Sequence, residues 1–306
     1  MKKLVLLATI GLFAGCSSMP QAEKMTDGRS PSSVKSVTVS NVKELLENIK
    51  SDTEITLRPG TYNVTAGVTD NTIKNPNIET SAAFDGTEVH IKGVKNLVLK
   101  SDGKGLPRIV ADPTYAKVLT FRESENITIS ALMIGHDNPG YCEGAVLKFV
   151  GTNNVLINDR TELYGSGTYA VEAIGSQVKI DNSILRDGSY GIIVASSSTL
   201  EISKSFIKGN AEFDLFSVLD NSRVTVSNST ITKNSGQTMA EVSRDSKLAF
   251  NNSTFSSNAM AAAFVGSYNT TSQVVEKGEV TVNGKVLSES EALRMINQKR
   301  ARPKRK

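Results

Sequence analysis

The sequence has 306 residues, 39% hydrophobic and 6% aromatic, with no Trp and a formal net charge of +4, which is ample for one large domain. Lys2 and Lys3 supply two of the positive charges, and Lys299, Arg300, Arg302, Lys304, Arg305 and Lys306 supply six, leaving about −4 for the body between them. That distribution excludes a basic nucleic-acid-binding domain.

Residues 1–15 read as a targeting segment: Lys2-Lys3, an apolar run from Leu4 to Phe13, then Ala14-Gly15-Cys16. The run is too short to span a bilayer. The small residues before Cys16 resemble a bacterial lipoprotein signal, which implies acylation of Cys16 and a membrane partner. Ser17 resembles the outer-membrane sorting class, so the expected location is the outer membrane. Several acyl chains on one residue anchor stably where one chain does not. Cys142 is then the only free thiol, and no intramolecular disulfide is expected.

Residues 16–38 are polar and carry Pro and Gly, the composition of a flexible tether. Asn41 is placed to N-cap a short helix with Val42, Leu45, Leu46 and Ile49 on one face. That helix is expected to plug the open end of a stacked array. Glu54 to Val64, EITLRPGTYNV, reads as strand, Pro-Gly turn and strand. A short helix followed by this string is similar to the opening of the pectate-lyase-like superfamily of right-handed parallel β-helix proteins. The resemblance implies an all-β fold, one right-handed parallel β-helix over 39–275 with an N-terminal capping helix. It carries no single activity, since that superfamily holds lyases, hydrolases, epimerases and non-catalytic members.

Thr65 to Thr87 reads as a long polar excursion before a strand at Val89-His90-Ile91. Coils are then anchored at Leu97, Ile127 and Val155. From Val178 the pattern becomes regular: VKIDNSILRDG, LEISKSFIKGN, VTVSNSTITKN and LAFNNSTFSSN start 22, 24 and 24 residues apart. Each places apolar residues two apart and repeats a small Ser at Ser183, Ser205, Ser229 and Ser253. Period two means strand, and a unit this short must stack on its neighbours to bury its apolar face. Asn182, Asn228 and Asn252 suit left-handed turn geometry. Residues 276–306 are expected to form a hairpin at Asn283-Gly284, a helix with the Ser288/Glu291 capping box, and a basic tail.

The longer early coils carry the loops, where binding usually resides. The loop GHDNPGYCEGAVLKF groups His136, Asp137, Tyr141, Cys142 and Glu143. His136, Asp137 and Glu143 are the acid/base candidates and Tyr141 a sugar-contact candidate; a plain structural loop is the competing reading. Cys142 with His136 lacks the third group a nucleophilic pair needs. Tyr169, Tyr190 and Phe213 recur at nearly equivalent positions and read as an inward aromatic ladder, with an exposed sugar platform as the alternative. Arg186 and Lys208 stack outward, with Lys233 one residue off the next equivalent. Like charges this close are costly unless an anion or solvent intervenes, so they mark a candidate strip for an acidic polysaccharide. Lys148 beside Glu172 is a second candidate pair.

No Asp-Asp pair is present, and the sequence nominates no two carboxylates facing one cleft, as glycoside hydrolysis needs. No metal site is nominated and no cofactor is called for; calcium is not supported by any motif. The expected function is an outer-membrane lipoprotein that binds a polysaccharide of the envelope or environment, with cleavage left open. A non-catalytic envelope scaffold or adhesin is the alternative.

Overall fold

Alternating apolar residues wind into three strands per coil, and equivalent strands of successive coils pair in parallel. The computed structural model describes residues 34–69, 73–137, 144–165, 167–210, 212–266 and 276–299. Cys16, the residues before 34, Tyr141, Cys142, Glu143 and the tail from 300 lie outside the described residues. Among the described residues the strands form sheets of ten, eight and nine members, called A, B and C. Among the described strands all pair in parallel except Ile78–Ala83, which runs antiparallel to Gly86–Lys92 at the start of sheet C.

One file of side chains shows how the core is built. Ile55, Leu99, Ile129, Ile157, Ile180, Ile202, Val226, Phe250 and Val282 are register partners along sheet A, and all are buried. Each sits about 4.8 Å from the next, so the column buries apolar surface that no single coil could cover. Leu97, Ile127, Val155, Val178, Leu200, Val224 and Leu248 pair in one register, as the coil anchors predict. In sheet C, Phe121 and Phe149 stack inside with ring centroids 5.5 Å apart.

The repeated Ser has a defined task at the corner. The amides of Ser183 and Ser205 donate to the hydroxyl oxygens of Ser205 and Ser229, each at 3.1 Å. The Ser205 hydroxyl in turn donates to the Ser203 carbonyl at 2.7 Å. One coil before Ser183, Thr161 takes the same place, its hydroxyl oxygen accepting the Leu132 amide at 3.5 Å. A second file, Thr152, Ser176, Ser198, Ser222 and Ser246, does the same at another corner with amide-to-hydroxyl distances of 3.0 Å. A third is a buried amide ladder: Asn210 Nδ2 to Asn234 Oδ1 and Asn234 Nδ2 to Asn258 Oδ1, both 3.0 Å. Asn182, Asn228 and Asn252 adopt φ of 47°, 51° and 48°, the left-handed geometry expected of turn Asn.

Both ends are plugged. At the N-terminal end α1 (Val42–Asn48) is capped by Asn41, which accepts the Glu44 amide at 2.9 Å, and buries Leu45 and Leu46. At the other end α3 (Glu289–Ile296) carries the full Ser288/Glu291 capping box. Its Glu289 carboxylate accepts the amides of Ala263 and Phe264, groups that an edge strand would otherwise leave unpaired. The Asn ladder reaches this plug, because Asn258 Nδ2 donates to the Ile296 carbonyl at 3.0 Å.

Four expectations change. The array starts inside the expected tether, because Lys35–Val39 already pairs with Thr53–Leu57. The expected polar excursion holds α2 (Val64–Thr69) and the antiparallel strand; Asn75 ties it to the carbonyls of Leu46 and Ile49 at 2.6 and 2.9 Å. The C-terminal hairpin strand Glu279–Val282 is the tenth strand of sheet A, paired with Lys247–Asn251. Tyr169, Tyr190 and Phe213 are half-buried and lie outside the core. They occupy the corner before sheet C, where Ala170, Ile192 and Leu215 take the inward positions.

Candidate functional site

The loop candidates separate. His136 is 1% exposed and its Nε2–H donates to the Ala116 carbonyl at 2.8 Å. Burial lowers its pKa, so it is a neutral imidazole within the body and not a surface base. Asp137 turns the other way, accepting from the Arg108 guanidinium and, at 3.1 Å, from the Tyr164 hydroxyl. The two neighbours therefore do not form an acid/base pair.

Arg186 and Lys208 are register partners on sheet B, and Thr232 takes the next place, with Lys233 exposed one residue on at φ 58°. Arg186 is not a bare cation. It pairs with Glu162 and with Asp187 at 2.5 Å, and its guanidinium sits 4.9 Å from the Tyr164 ring centroid. Those carboxylates offset the like-charge cost beside Lys208. Lys148 and Glu172 are register partners on sheet C with Nζ–Oε1 of 2.9 Å, as their spacing predicts.

Lys148 of that pair also lines a cleft on sheet C. The outward face of sheet C and the arm formed by Ile78–Ala83 and Gly86–Lys92 enclose a cleft of about 440 Å³, lined by Glu79, Ser81, Glu88, His90, Lys117, Thr120, Arg122 and Lys148 among others. A shallower depression of about 240 Å³ adjoins it, sharing Lys117 and Lys148 and adding Tyr169 and Glu172. Together they run across successive strands, along the axis of the helix.

The polar groups of the cleft are tightly organised. Ser81 Oγ lies 2.7 Å from His90 Nε2 and donates to Glu88 Oε1 at 3.1 Å. Glu88 Oε1 is 3.4 Å from His90 Nε2, and its Oε2 accepts the Lys117 amide at 3.2 Å beside Lys117 Nζ at 3.5 Å. Burial alone would raise the Glu88 carboxyl, but the His90 contact, the Lys117 amide and the Lys117 charge overcome it and hold the group down to about 2. Two buried atoms beneath this network have no hydrogen-bond partner among the described residues: His90 Nδ1 and Thr120 Oγ1. Their residues, 8% and 2% exposed, are register partners. A buried polar atom left unpaired costs about 1–3 kcal/mol; His136 Nδ1, Asn158 Oδ1 and Thr238 Oγ1 are the others among the described residues, and only His90 and Thr120 lie together at a cleft.

Farther along the same face, burial and the Glu241 charge raise the Asp214 carboxyl to about 6. Tyr190 and Phe213 stack beside it at 3.9 Å between centroids. Tyr169 leans across the place of Gly191, where a Cβ would meet its ring at 2.9 Å. Asp214, Glu241, Glu88, His90 and Ser81 escaped the sequence reading. The signal available was register: Lys148, Glu172, Ser217 and Glu241 fall on one outward file of sheet C. Among the described residues no group of three or more His, Cys, Asp or Glu is placed to hold a metal ion. Nor is any described helix long and apolar enough to cross a membrane.

Residues 122–282 match the family model of the right handed beta helix region, and the chain belongs to that family. No curated protein matches the sequence. Among solved structures the chain is similar to a pectate lyase from Paenibacillus sp. 0602, at 9% identity and TM-score 0.49, over 84% of this chain and 80% of that one. It is also similar to an alginate lyase from Paenibacillus sp. str. FPU-7, at 10% identity and TM-score 0.39, over 81% and 99%. A surface adhesin of Streptococcus pneumoniae matches at 10% identity and TM-score 0.35, over 76% and 70%. These likenesses concern the fold.

Proposed function

We propose that the chain is an outer-membrane lipoprotein whose β-helix binds a polysaccharide in the cleft of sheet C. The observation that carries the binding site is the cleft itself: about 440 Å³, bordered by Lys117, Arg122 and Lys148 and floored by two unpartnered polar atoms. Its direction across the strands suits an extended polymer, with sugar hydroxyls or carboxylates meeting the cations. Half-buried Tyr169 in the adjoining depression offers a ring face for a sugar, as aromatic side chains do through their apolar bodies. The membrane attachment rests on the sequence around Cys16.

A glycan array probed with the soluble body tests the reading. Retention of a polysaccharide that is lost in Arg122→Glu and weakened by salt supports it, since exposed charges are screened. Silence across a broad panel favours the scaffold or adhesin. Metabolic labelling with a palmitate analogue tests the anchor: label on the wild type and none on Cys16→Ser is the expected result.

A further inference from the structure

The cleft holds an exposed hydroxyl within hydrogen-bond reach of a buried imidazole, and nothing in glycan binding requires that pairing. Ser81 sits on the outer strand of the arm, opposite Glu88, while His90 lies two residues on, opposite Glu79. The antiparallel pairing thus sets Ser81, Glu88 and His90 on one face. Ser81 Oγ to His90 Nε2 is 2.7 Å, inside the range that marks a nucleophile and its base.

The unpartnered atoms fit the same arrangement. His90 and Thr120 face each other across neighbouring strands, and each keeps one orphan atom, Nδ1 and Oγ1. With its proton on the unpartnered Nδ1, the imidazole leaves the Nε2 lone pair toward Ser81. Glu88, ionised and 3.4 Å from Nε2, faces the proton that nitrogen would acquire. An anion placed there stabilises the imidazolium formed during reaction. Lys117 and Lys148 supply positive charge to the same cleft.

We propose that Ser81 and His90 form the nucleophile and base of an ester hydrolase that removes acyl groups from a hydroxyl-rich substrate in this cleft. The Ser81 hydroxyl rotates its proton from Glu88 Oε1 to His90 Nε2, and Oγ attacks the ester carbonyl carbon as that proton passes to the imidazole. The tetrahedral intermediate expels the substrate alkoxide, which takes the proton from His90, leaving Ser81 acylated. Water, deprotonated by His90, then attacks the acyl group, and Ser81 regains its proton as the carboxylic acid departs. No further co-reactant is needed. That the acyl group is carried by a glycan rests on the function proposed above; the ester chemistry does not.

Full-length protein is incubated with p-nitrophenyl acetate, with an O-acetylated xylan, and separately with a fluorophosphonate probe followed by peptide mass spectrometry. The expected result is hydrolysis that falls at least about 100-fold in Ser81→Ala, the low end of a base-assisted nucleophile's contribution, with the probe attached at Ser81. His90→Gln should lose the same activity. Because Ser81 is exposed, Ser81→Ala keeps the fold, checked by circular dichroism. Wild-type hydrolysis no faster than buffer, or an undiminished rate in folded Ser81→Ala, overturns the proposal. Retained glycan binding with no ester hydrolysis defeats this inference alone. Hydrolysis of the small ester without glycan binding defeats only the polysaccharide reading.

Discussion

The regular coils from Val178 to Asn258 and the early coils from Thr53 to Val150 use the same architecture to different ends. In the regular coils the repeated corner polar groups meet their own kind one coil away: Ser183 meets Ser205, Ser198 meets Ser222, Asn210 meets Asn234. In the early coils the spacing lengthens, an antiparallel arm folds over sheet C, and two buried atoms stay unpaired beneath a cleft. Repetition satisfies the corner amides, while the break in repetition opens a cleft. That division is what natural folds show when local rules fail at functional sites.

Breaking the regular region should cost the most. Asn234→Ala removes the central rung of the buried ladder, which bonds Asn210, Asn258 and the Ile207 carbonyl. The expected loss is about 3 kcal/mol, from several unsatisfied buried groups, measured by urea denaturation.

Next is Glu88. Its carboxyl is depressed from 4.5 to about 2, so the folded state binds its proton less tightly. Its contribution, on the order of 2–3 kcal/mol, is complete above pH 4.5 and disappears as the pH falls toward 2. Glu88→Gln should therefore flatten the acid limb of the stability curve measured by thermal melts.

Asp214 gives the opposite sign. Its carboxyl is raised from 3.8 to about 6, so its favourable share is present below pH 3.8 and lost as the pH rises through 6. Asp214→Asn should gain about 1 kcal/mol at pH 8, after allowance for solvent screening, and nothing at pH 3. The smallest effect belongs to Ser81→Ala, within about 0.5 kcal/mol as for an exposed site, whereas Ser205→Ala, which breaks a corner, should cost about 1 kcal/mol.

The contrast also explains what could be read in advance. The β-helix was legible because alternation, the recurrent Ser and the repeat length all require stacking. The plugs were legible from Asn41 and the Ser288/Glu291 box. The arm was not, because α2 and the strand Ile78–Ala83 are short and lack a clear apolar period, and Asn75 between them is held through contacts distant in sequence. The cleft was hidden for the same reason. Ser81, Glu88, His90 and Thr120 span two strands of an arm and a third strand thirty residues on, and only the pairing joins them. Arg186 and Lys208 were visible through their spacing, but the neutralising Glu162 sits a coil away and Asp187 was overlooked beside it.

The central claim, that sheet C and not the sheet B strip holds the ligand, is tested most directly by charge reversal on each. Arg122→Glu and Lys208→Glu are compared for retention of whichever polysaccharide the wild type binds on the array. The account predicts at least a tenfold loss for Arg122→Glu and an unchanged affinity for Lys208→Glu. Loss in Lys208→Glu with Arg122→Glu unaffected would contradict it.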